Sequence, residues 1–267
     1  IPRSQKSKIL KTHFLSMDSF DNSTIFGLNP VIEALKAQKR RCYKLILEKG
    51  KSQARMKLLI ELAYANKVPI ETIPKTTFQK KYHNYNHQGV IGVFALVPTL
   101  GLEELIELAF QKSPLPILVA LDSIQDPQNL GAIIRSAEAL GIHGIILPKN
   151  RTSAINETVA KCSSGAIEYL PISWVTNLTR GIEQLKEAGF WIAGIVPDGN
   201  TPCYQHKFDT PMVLVIGGEE KGIRPLLKKS CDVTLKIPME GSLGSLNASA
   251  AAAVIFYETL RQKNIRS

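Results

Sequence analysis

The chain has 267 residues, 44% of them hydrophobic, and carries a formal net charge of +10 at pH 7. This length and composition predict one large or two small globular domains, and the lack of any run of about eighteen apolar residues excludes a membrane span. The four cysteines and five histidines lack metal-ligand spacing, so we expect no disulfide framework, no metal site and a reducing compartment. The positive charge favours a polyanionic partner, with general solubility as the alternative.

The first 97 residues predict a basic arm followed by a small α/β domain. The arm, 1–22, fits a flexible segment, a tag or the remnant of an organelle presequence, because its first part is basic and contains no acid. A helix follows, for which Asn29 is the predicted cap and Pro30 the first residue. Further elements alternate between strand and helix, which predicts one α/β unit over 23–97. They are expected at 43–48, 53–66, 68–73, 76–81 and 90–97.

Two features of this domain predict contact with RNA. The segment 36–57 is the most basic part of the chain and can bind phosphates, although such a run is also typical of a solvated surface. The loop 82–89 alternates aromatic rings with amides, which can stack on unpaired bases; a polar loop without a ligand is the alternative. The predicted RNA contacts are Asn29, Lys39, Arg40, Arg41, Asn86, His87 and Gln88.

Residues 98–116 are predicted to form a linker that contains one amphipathic helix and ends in a proline-rich turn. The second domain, 117–267, begins with an apolar strand at 117–121 and continues with alternating helices and strands. This alternation predicts a parallel sheet with helices on both faces. The other strands are expected at 144–147, 168–172, 191–196, 212–216 and 233–237, and helices near Asn129, at 156–162, at 177–188 and after Asn247.

Two loops that follow predicted strands contain residues suited to ligand binding, since α/β proteins place ligands at such turns. In the first, Asn129 is the predicted helix cap and Gly131 lets the backbone approach a ligand. Arg135 lies on an otherwise apolar helix, where a functional role competes with a surface ion pair to Glu138 or another acid. The second is the glycine loop 217–224, which holds the acid Glu219.

A third loop runs from Gly241 to Asn247 directly into an alanine-rich helix. Its glycines permit positive φ, while Ser245, Asn247 and Ser249 offer hydrogen-bond donors and helix caps. An ordinary capped helix is the alternative. The glycine loop 217–224 has neither the spacing of a dinucleotide fingerprint nor the ending of a P-loop, so NAD and ATP are not expected.

Together the three loops resemble the signature motifs of the SpoU (TrmH) family of RNA ribose 2′-O-methyltransferases, in the SPOUT superfamily. The resemblance covers 118–261, and the first domain resembles the RNA-binding domain of the RlmB branch, which methylates a guanosine ribose of large-subunit rRNA. The matching segments are Asn129-x-Gly-Ala-x-x-Arg135, Gly217-Gly-Glu-x-x-Gly222, Ile237-Pro-Met…Ser245-Leu-Asn247, Phe26 to Leu35 and Asn86 to Gly89.

The resemblance implies a SPOUT α/β knot: a parallel sheet with helices on both faces and a C-terminal trefoil knot, preceded by a small ribosomal-protein-like α/β domain that binds RNA. It also implies S-adenosylmethionine as cofactor, no metal, and a homodimer whose paired knots build the site together. The compartment is expected to be a bacterial-type cytoplasm or an organelle. Motif positions around the reacting centre match Asn129, Arg135, Glu219, Ser245 and Asn247. Cofactor-binding positions match Val196, Pro197, Gly217, Gly218, Gly222, Ile237, Met239, Leu246 and Asn247.

A ribose hydroxyl is a poor nucleophile, so such an enzyme must align it with the methyl donor and stabilise the developing oxyanion. The family counterpart of Arg135 is proposed to assist deprotonation. Because a guanidinium stays protonated, we expect Arg135 instead to hold a phosphate or the oxyanion, and Glu219 to organise its loop. Relatives often have a glycine where this chain has Glu220. The chain therefore departs from the family pattern in this loop, and its conformation is the feature that the difference can change.

Three other functions compete with an rRNA methyltransferase. A tRNA methyltransferase would keep the chemistry and change the substrate. A non-catalytic RNA-binding protein would keep only the fold, but it would be free to lose motif residues that are all present here. An NAD-dependent oxidoreductase would require a dinucleotide fingerprint, which the sequence lacks.

Overall fold

The computed structural model describes residues 24–51, 54–242 and 244–266. The predicted basic arm at 1–22 lies outside the described residues. The described strands form one sheet of four strands and one of seven. In that same part of the chain, no helix combines the length and the apolar character that crossing a bilayer requires.

The first domain is a four-stranded sheet in the order β1-β4-β2-β3, in which β2 runs parallel to β3 and antiparallel to β4. Helices α1 and α2 pack on one face around Leu45 and Phe94, and α3 packs on the other around Ile91. Its elements are β1 (Thr24–Phe26), α1 (Leu28–Ala37), β2 (Cys42–Glu48), α2 (Ala54–Ala65), β3 (Ile70–Ile73), α3 (Lys75–Tyr82) and β4 (Val90–Phe94).

The second domain is a seven-stranded parallel sheet in the order β7-β6-β5-β10-β8-β11-β9. Both faces are buried: Val119 and Leu121 of β5 join the core beneath α5 and α9, and Leu118 and Ala120 join the core beneath α4 and α7. Such two-sided burial is why its strands read as apolar runs. Its elements are α4 (Leu102–Lys112), β5 (Ile117–Asp122), α5 (Pro127–Ala139), β6 (Gly144–Pro148), α6 (Glu157–Cys162), β7 (Ile172–Val175), α7 (Leu178–Glu187), β8 (Trp191–Ile195), β9 (Thr201–Pro202), β10 (Met212–Gly217), α8 (Pro225–Lys229), β11 (Val233–Lys236) and α9 (Ala248–Arg266).

The parallel sheet with helices on both faces and the small preceding α/β domain agree with the predicted fold class. The trefoil knot stays a prediction from the resemblance. The segment predicted as a linker contains α4, whose Leu102, Leu105 and Ala109 are buried in the core of the second domain. Residues 98–116 therefore hold a structural layer of the second domain, and no free connector separates the two domains in this segment.

Two predicted helix caps are wrong. Helix α1 begins after Gly27, which has φ 99°, and Asn29 lies inside the helix, where its Oδ1 accepts a hydrogen bond from Arg55 Nη1 at 2.7 Å. Helix α5 is capped by Asp126, whose carboxylate accepts from the backbone N–H of Gln128 at 3.0 Å. An Asp followed by Pro at the first helical position satisfies the helix start earlier than Asn129 could.

The strand predicted at 168–172 is also wrong, and a buried ion pair explains why. The chain forms a 3₁₀ helix at Ala166–Glu168, and β7 begins only at Ile172. The Glu168 carboxylate accepts two hydrogen bonds from Arg40, one of them from Nε at 2.9 Å, and Arg40 Nη1 donates to the Ala95 carbonyl at 3.0 Å. Both side chains are almost fully buried, at 3% and 2% exposure. This pair joins the two domains.

Two further contacts support this domain interface. The Tyr169 hydroxyl donates to Glu33 Oε2 at 2.9 Å, and Lys39 Nζ donates to the Tyr169 carbonyl at 3.0 Å. Gly165 has φ 93° and lies so close to Glu33 that an added Cβ would come within 2.4 Å of the glutamate Cβ. The interface therefore fixes how α1 sits against the second domain.

Candidate functional site

The candidate site lies where β5 and β10 end side by side in the sheet. Asp122 and Gly217 are paired in register, and the Gly218 N–H donates to the Asp122 carbonyl at 2.8 Å. After β10 the chain folds back tightly, with Gly222 at φ 59°. A Cβ on Gly217 would come within 2.1 Å of the Gly222 carbonyl carbon, so only glycine fits there. The strand order reverses at this point, which is where parallel α/β sheets bind ligands.

Three side chains from three loops meet here in one hydrogen-bonded trio. Asn129, in the first turn of α5, donates through Nδ2 to Glu219 Oε1 at 2.7 Å. Asn247, just before α9, donates through Nδ2 to the same oxygen and to Asn129 Oδ1 at 3.1 Å. The Asn247 Oδ1 accepts from the Ser249 N–H at 2.8 Å, so the cap of α9 fixes which way the amide points. We call Asn129, Glu219 and Asn247 the polar trio.

Glu219 of the trio forms part of the wall shared by two cavities. One, of about 290 Å³, lies beside β8, β10 and the loop before α9, and we call it the apolar cavity. The other, of about 610 Å³, lies beside the loop after β5, and we call it the polar cavity. Both are lined by Gly218, Glu219, Gly222 and Ala248. A group bound in one cavity would therefore face a group bound in the other across Glu219.

The apolar cavity collects the residues that match cofactor-binding positions. They are Val196, Pro197, Gly217, Gly218, Gly222, Ile237, Met239 and Leu246, and the remaining one, Asn247, belongs to the polar trio. Sequence reasoning missed Ile195, Ile216, Ala248 and Ala251, which also line it. The ends of the predicted strands were the available signal for the two isoleucines.

The lining of this cavity suits an adenosyl group. Apolar side chains cover its walls, the glycines expose backbone, and Glu219 is the one charged side chain among the described lining residues. The backbone is packed so tightly around Gly217 and Gly218 that neither position can carry a side chain, so the cavity beside them stays open for a ligand. The described part of the chain shows no group of His, Cys, Asp or Glu side chains arranged to hold a metal ion.

The structure brings together most of the residues that match motif positions around the reacting centre. Ser245 lines the apolar cavity, next to the trio of Asn129, Glu219 and Asn247. Arg135 does not join them: it lies exposed on α5 and is absent from the described lining of both cavities. The alternative ion pair with Glu138 is not formed, and no described acid pairs with Arg135.

The predicted RNA contacts lie in two places on the first domain. Arg41 and Lys39 line a cavity of about 680 Å³ together with Tyr43, and the Arg41 guanidinium lies 5.6 Å from the Tyr43 ring centroid. Arg40 lines it too, but its guanidinium is buried and bound to Glu168 and the Ala95 carbonyl, so the RNA role predicted for it is contradicted. Lys39 donates to the second domain, and burial lowers its pKa.

The loop after α3 is built differently from the prediction. Tyr82 is buried and Tyr85 stacks on Phe26 with ring centroids 4.2 Å apart, so these rings stabilise the domain and are not displayed for bases. Gln88 Oε1 accepts from the Leu28 N–H at 3.2 Å, and burial lowers the pKa of His87. Asn86 remains exposed at the tip.

Comparison with known proteins identifies both domains. Residues 116–257 match the model of the SpoU rRNA Methylase family, and residues 24–99 match the model described as RNA 2′-O ribose methyltransferase substrate binding. The chain is 39% identical over 240 residues to the putative TrmH family tRNA/rRNA methyltransferase YacO of Bacillus subtilis, covering 90% of this chain and 96% of the relative.

Two further similarities cover about nine tenths of the chain. The 23S rRNA (guanosine-2′-O-)-methyltransferase RlmB of Vibrio parahaemolyticus is 35% identical over 242 residues, 91% of this chain and 98% of that protein. The crystal structure of the SpoU methyltransferase AviRb from Streptomyces viridochromogenes, in complex with the cofactor AdoMet, superposes with a TM-score of 0.71. That similarity has 26% sequence identity and covers 90% of both chains.

Proposed function

The chain belongs to the SpoU rRNA methylase family, and from that premise we propose that it transfers a methyl group from S-adenosylmethionine to the 2′-hydroxyl of a guanosine in large-subunit rRNA. The observation that carries this proposal is the polar trio, whose Glu219 forms part of the wall shared by the apolar and polar cavities. A transfer between two bound groups needs such a wall, because donor and acceptor must meet in line at one point.

Residues of the apolar cavity would hold the cofactor, with Ile195, Ile237 and Leu246 against its adenosyl part and Gly217 and Gly218 offering backbone groups. When bound there, S-adenosylmethionine supplies an electrophilic methyl group on sulfur. The chain's own residues then align the ribose and exclude water. The size and apolar lining of this cavity suit the binding of the cofactor.

Roles within the trio follow from the hydrogen bonds already made. Glu219 Oε1 accepts from two amides, so we propose that Glu219 positions Asn129 and Asn247 rather than taking the ribose proton. Ser245, exposed beside them, would orient the ribose through its hydroxyl. Arg135 would hold the target phosphate or stabilise the oxyanion with its planar fork.

The exposure of Arg135 supports a homodimer in which it serves the site of a second copy. Asn129 and Arg135 are six residues apart on α5, about 9 Å along the helix axis, and Arg135 points to solvent in the single chain. Helix α9, which packs on α5, exposes Val254 at 42% and Tyr257 at 58%. Sedimentation at micromolar concentration should show a dimer, and a monomer there would contradict this proposal.

The function is tested by offering labelled S-adenosylmethionine with unmodified large-subunit rRNA and bulk tRNA in parallel. We expect label on a single guanosine ribose of the rRNA, mapped by nuclease digestion, and none in a Glu219→Ala control. Label on tRNA alone would retain the chemistry and reject the substrate. Binding of cofactor without transfer to either free RNA would call for an assembling ribosomal particle as substrate.

We propose the cytoplasm as the compartment.

Replacing Gly217 by alanine should weaken cofactor binding. The added methyl group meets backbone atoms of Gly222 and Ile223, so the loop must move out of the cavity wall. We expect calorimetry to show S-adenosylmethionine affinity reduced by about tenfold or more, a loss of about 1.4 kcal/mol. Gly241→Ala is the control, because nothing lies within 4 Å of its added Cβ. If a folded Gly217→Ala protein bound S-adenosylmethionine with native affinity, the cofactor would not bind in this cavity.

A further inference from the structure

A third cavity, of about 220 Å³, lies next to the polar cavity at the carboxyl ends of β6 and β7. Two arginines, Arg151 and Arg224, line both cavities. In the third cavity they are accompanied by Asn150, Thr176 and Asn177, and its described lining contains no acid. We call this third space the basic cavity.

Arg224 is held in place by a buried carboxylate. Asp122 is fully buried and accepts from the Arg224 backbone N–H at 2.9 Å and from its Nε at 2.8 Å. No hydrogen bond from the two Nη groups to another described residue is formed, and 37% of the side chain is exposed. Asp122 thus fixes one edge of the guanidinium and leaves its fork free for an anion.

Arg151 belongs to a loop in a strained backbone conformation. Its φ is 65°, and Ser123, which lines the polar cavity opposite, has φ 64°. The loops are tied together, since the Ser153 N–H donates to the Ile124 carbonyl at 2.9 Å. Non-glycine residues with positive φ cluster at functional sites, where the surrounding structure maintains them. Arg151 is exposed and has no acidic partner in the described ranges.

The linings of the two cavities differ in their balance of charge. The polar cavity is lined by three acids, Asp126, Glu219 and Glu220, and by three bases, Lys221 and the two shared arginines, so its charges balance and favour a phosphate less than a purely basic lining would. The basic cavity offers two guanidinium groups with amides and a hydroxyl, which favour one. A nucleotide in the polar cavity would therefore have its neighbouring phosphate in the basic cavity.

We propose that Arg151 and Arg224 form a phosphate clamp that binds the RNA backbone next to the modified nucleotide. The clamp rests on the proposed function for the class of its ligand, an RNA strand. It sets the path of the strand across the carboxyl ends of β5, β6 and β7. Each guanidinium fork matches the two free oxygens of a phosphodiester.

Two substitutions remove the clamp without disturbing the fold. Arg151→Ala deletes an unpaired exposed side chain, and Arg224→Lys keeps a cation for Asp122 but no fork. The matched control is Lys207→Ala, which removes one exposed charge beyond β9, at the opposite edge of the sheet. The probe is unmodified large-subunit rRNA made by transcription, titrated at several salt concentrations.

We expect each clamp variant to weaken rRNA binding by about tenfold. Arg151→Ala should also lower the slope of log Kd against log salt by about 0.7 to 0.9, the effect of one lost phosphate contact, whereas Arg224→Lys keeps its charge and should change the slope less. Cofactor affinity and Tm should stay native, and Lys207→Ala should change neither slope nor affinity. If the native protein transfers methyl groups and both clamp variants bind rRNA as tightly as it does, the clamp proposal is wrong and the proposed function stands. If the native protein transfers no methyl group to free rRNA or to ribosomal particles and the clamp variants still lose RNA affinity, the clamp stands and the proposed function fails.

Discussion

Replacing Glu168 by alanine is expected to lower the free energy of unfolding by about 3–5 kcal/mol, the largest loss of stability that a single substitution outside the cores should cause. The reason is the partner left behind. Arg40 is 3% exposed and would keep its charge without a carboxylate to receive it. The hydrogen bond from Nη1 to the Ala95 carbonyl and the Phe94 ring, whose centroid lies 5.2 Å from the guanidinium, cannot replace two charged hydrogen bonds.

Denaturant unfolding followed by circular dichroism measures this loss. The control is Glu71→Ala, which breaks the exposed Lys44–Glu71 pair, with side chains 47% and 54% exposed, and should change stability by less than about 0.5 kcal/mol. A double variant, Arg40→Met with Glu168→Leu, should recover most of the loss, because apolar residues can replace a buried ion pair. Near-native stability of Glu168→Ala alone would mean that the domains are not held together by this pair.

The pair also links stability to function. Because Arg40 and Glu168 fix α1 against the second domain, they set the distance between Arg41 on the first domain and the polar trio on the second. An RNA that contacts both places can do so only when the two domains hold them at that distance. A Glu168→Ala protein that remains folded at low temperature should therefore bind cofactor normally and lose affinity for rRNA.

The sequence predicted the second domain well because its signals were local. Buried parallel strands such as 117–121 are short apolar runs, and the Asn156 and Asn177 caps lie directly before their helices. The lining of the apolar cavity followed from motif positions in three loops. Asp126 was missed as a cap because Asn129, three residues on, fits the same rule.

What the sequence could not predict depends on contacts between distant residues. Nothing near Arg40 indicates that Glu168, 128 residues later, buries its charge. The same holds for Tyr85, whose ring stacks on Phe26 instead of remaining open to a base. A charge run and an aromatic loop describe composition, and only the fold decides which of those side chains reach the surface.

The exposed position of Arg135 leads to the prediction with the largest effect on activity. Arg135→Ala should lower the rate of methyl transfer by about 10²–10³-fold with native cofactor affinity, as expected for loss of one donor to a developing oxyanion. Arg135→Lys should remain strongly impaired, because an ammonium cannot reproduce the bidentate fork. Near-full turnover with unchanged affinity in Arg135→Lys would contradict this role.

Mixing two inactive variants tests whether Arg135 acts on a second copy. If one copy supplies Arg135 and the other Glu219, a heterodimer of Arg135→Ala with Glu219→Ala retains one native site. Random exchange of subunits should then restore about a quarter of the native rate, since half of the dimers are heterodimers with one intact site. If each chain uses its own Arg135, the mixture stays as inactive as its components, because every site then lacks one of the two groups. The rate of the mixture thus separates an arginine that completes its own site from one that completes its partner's.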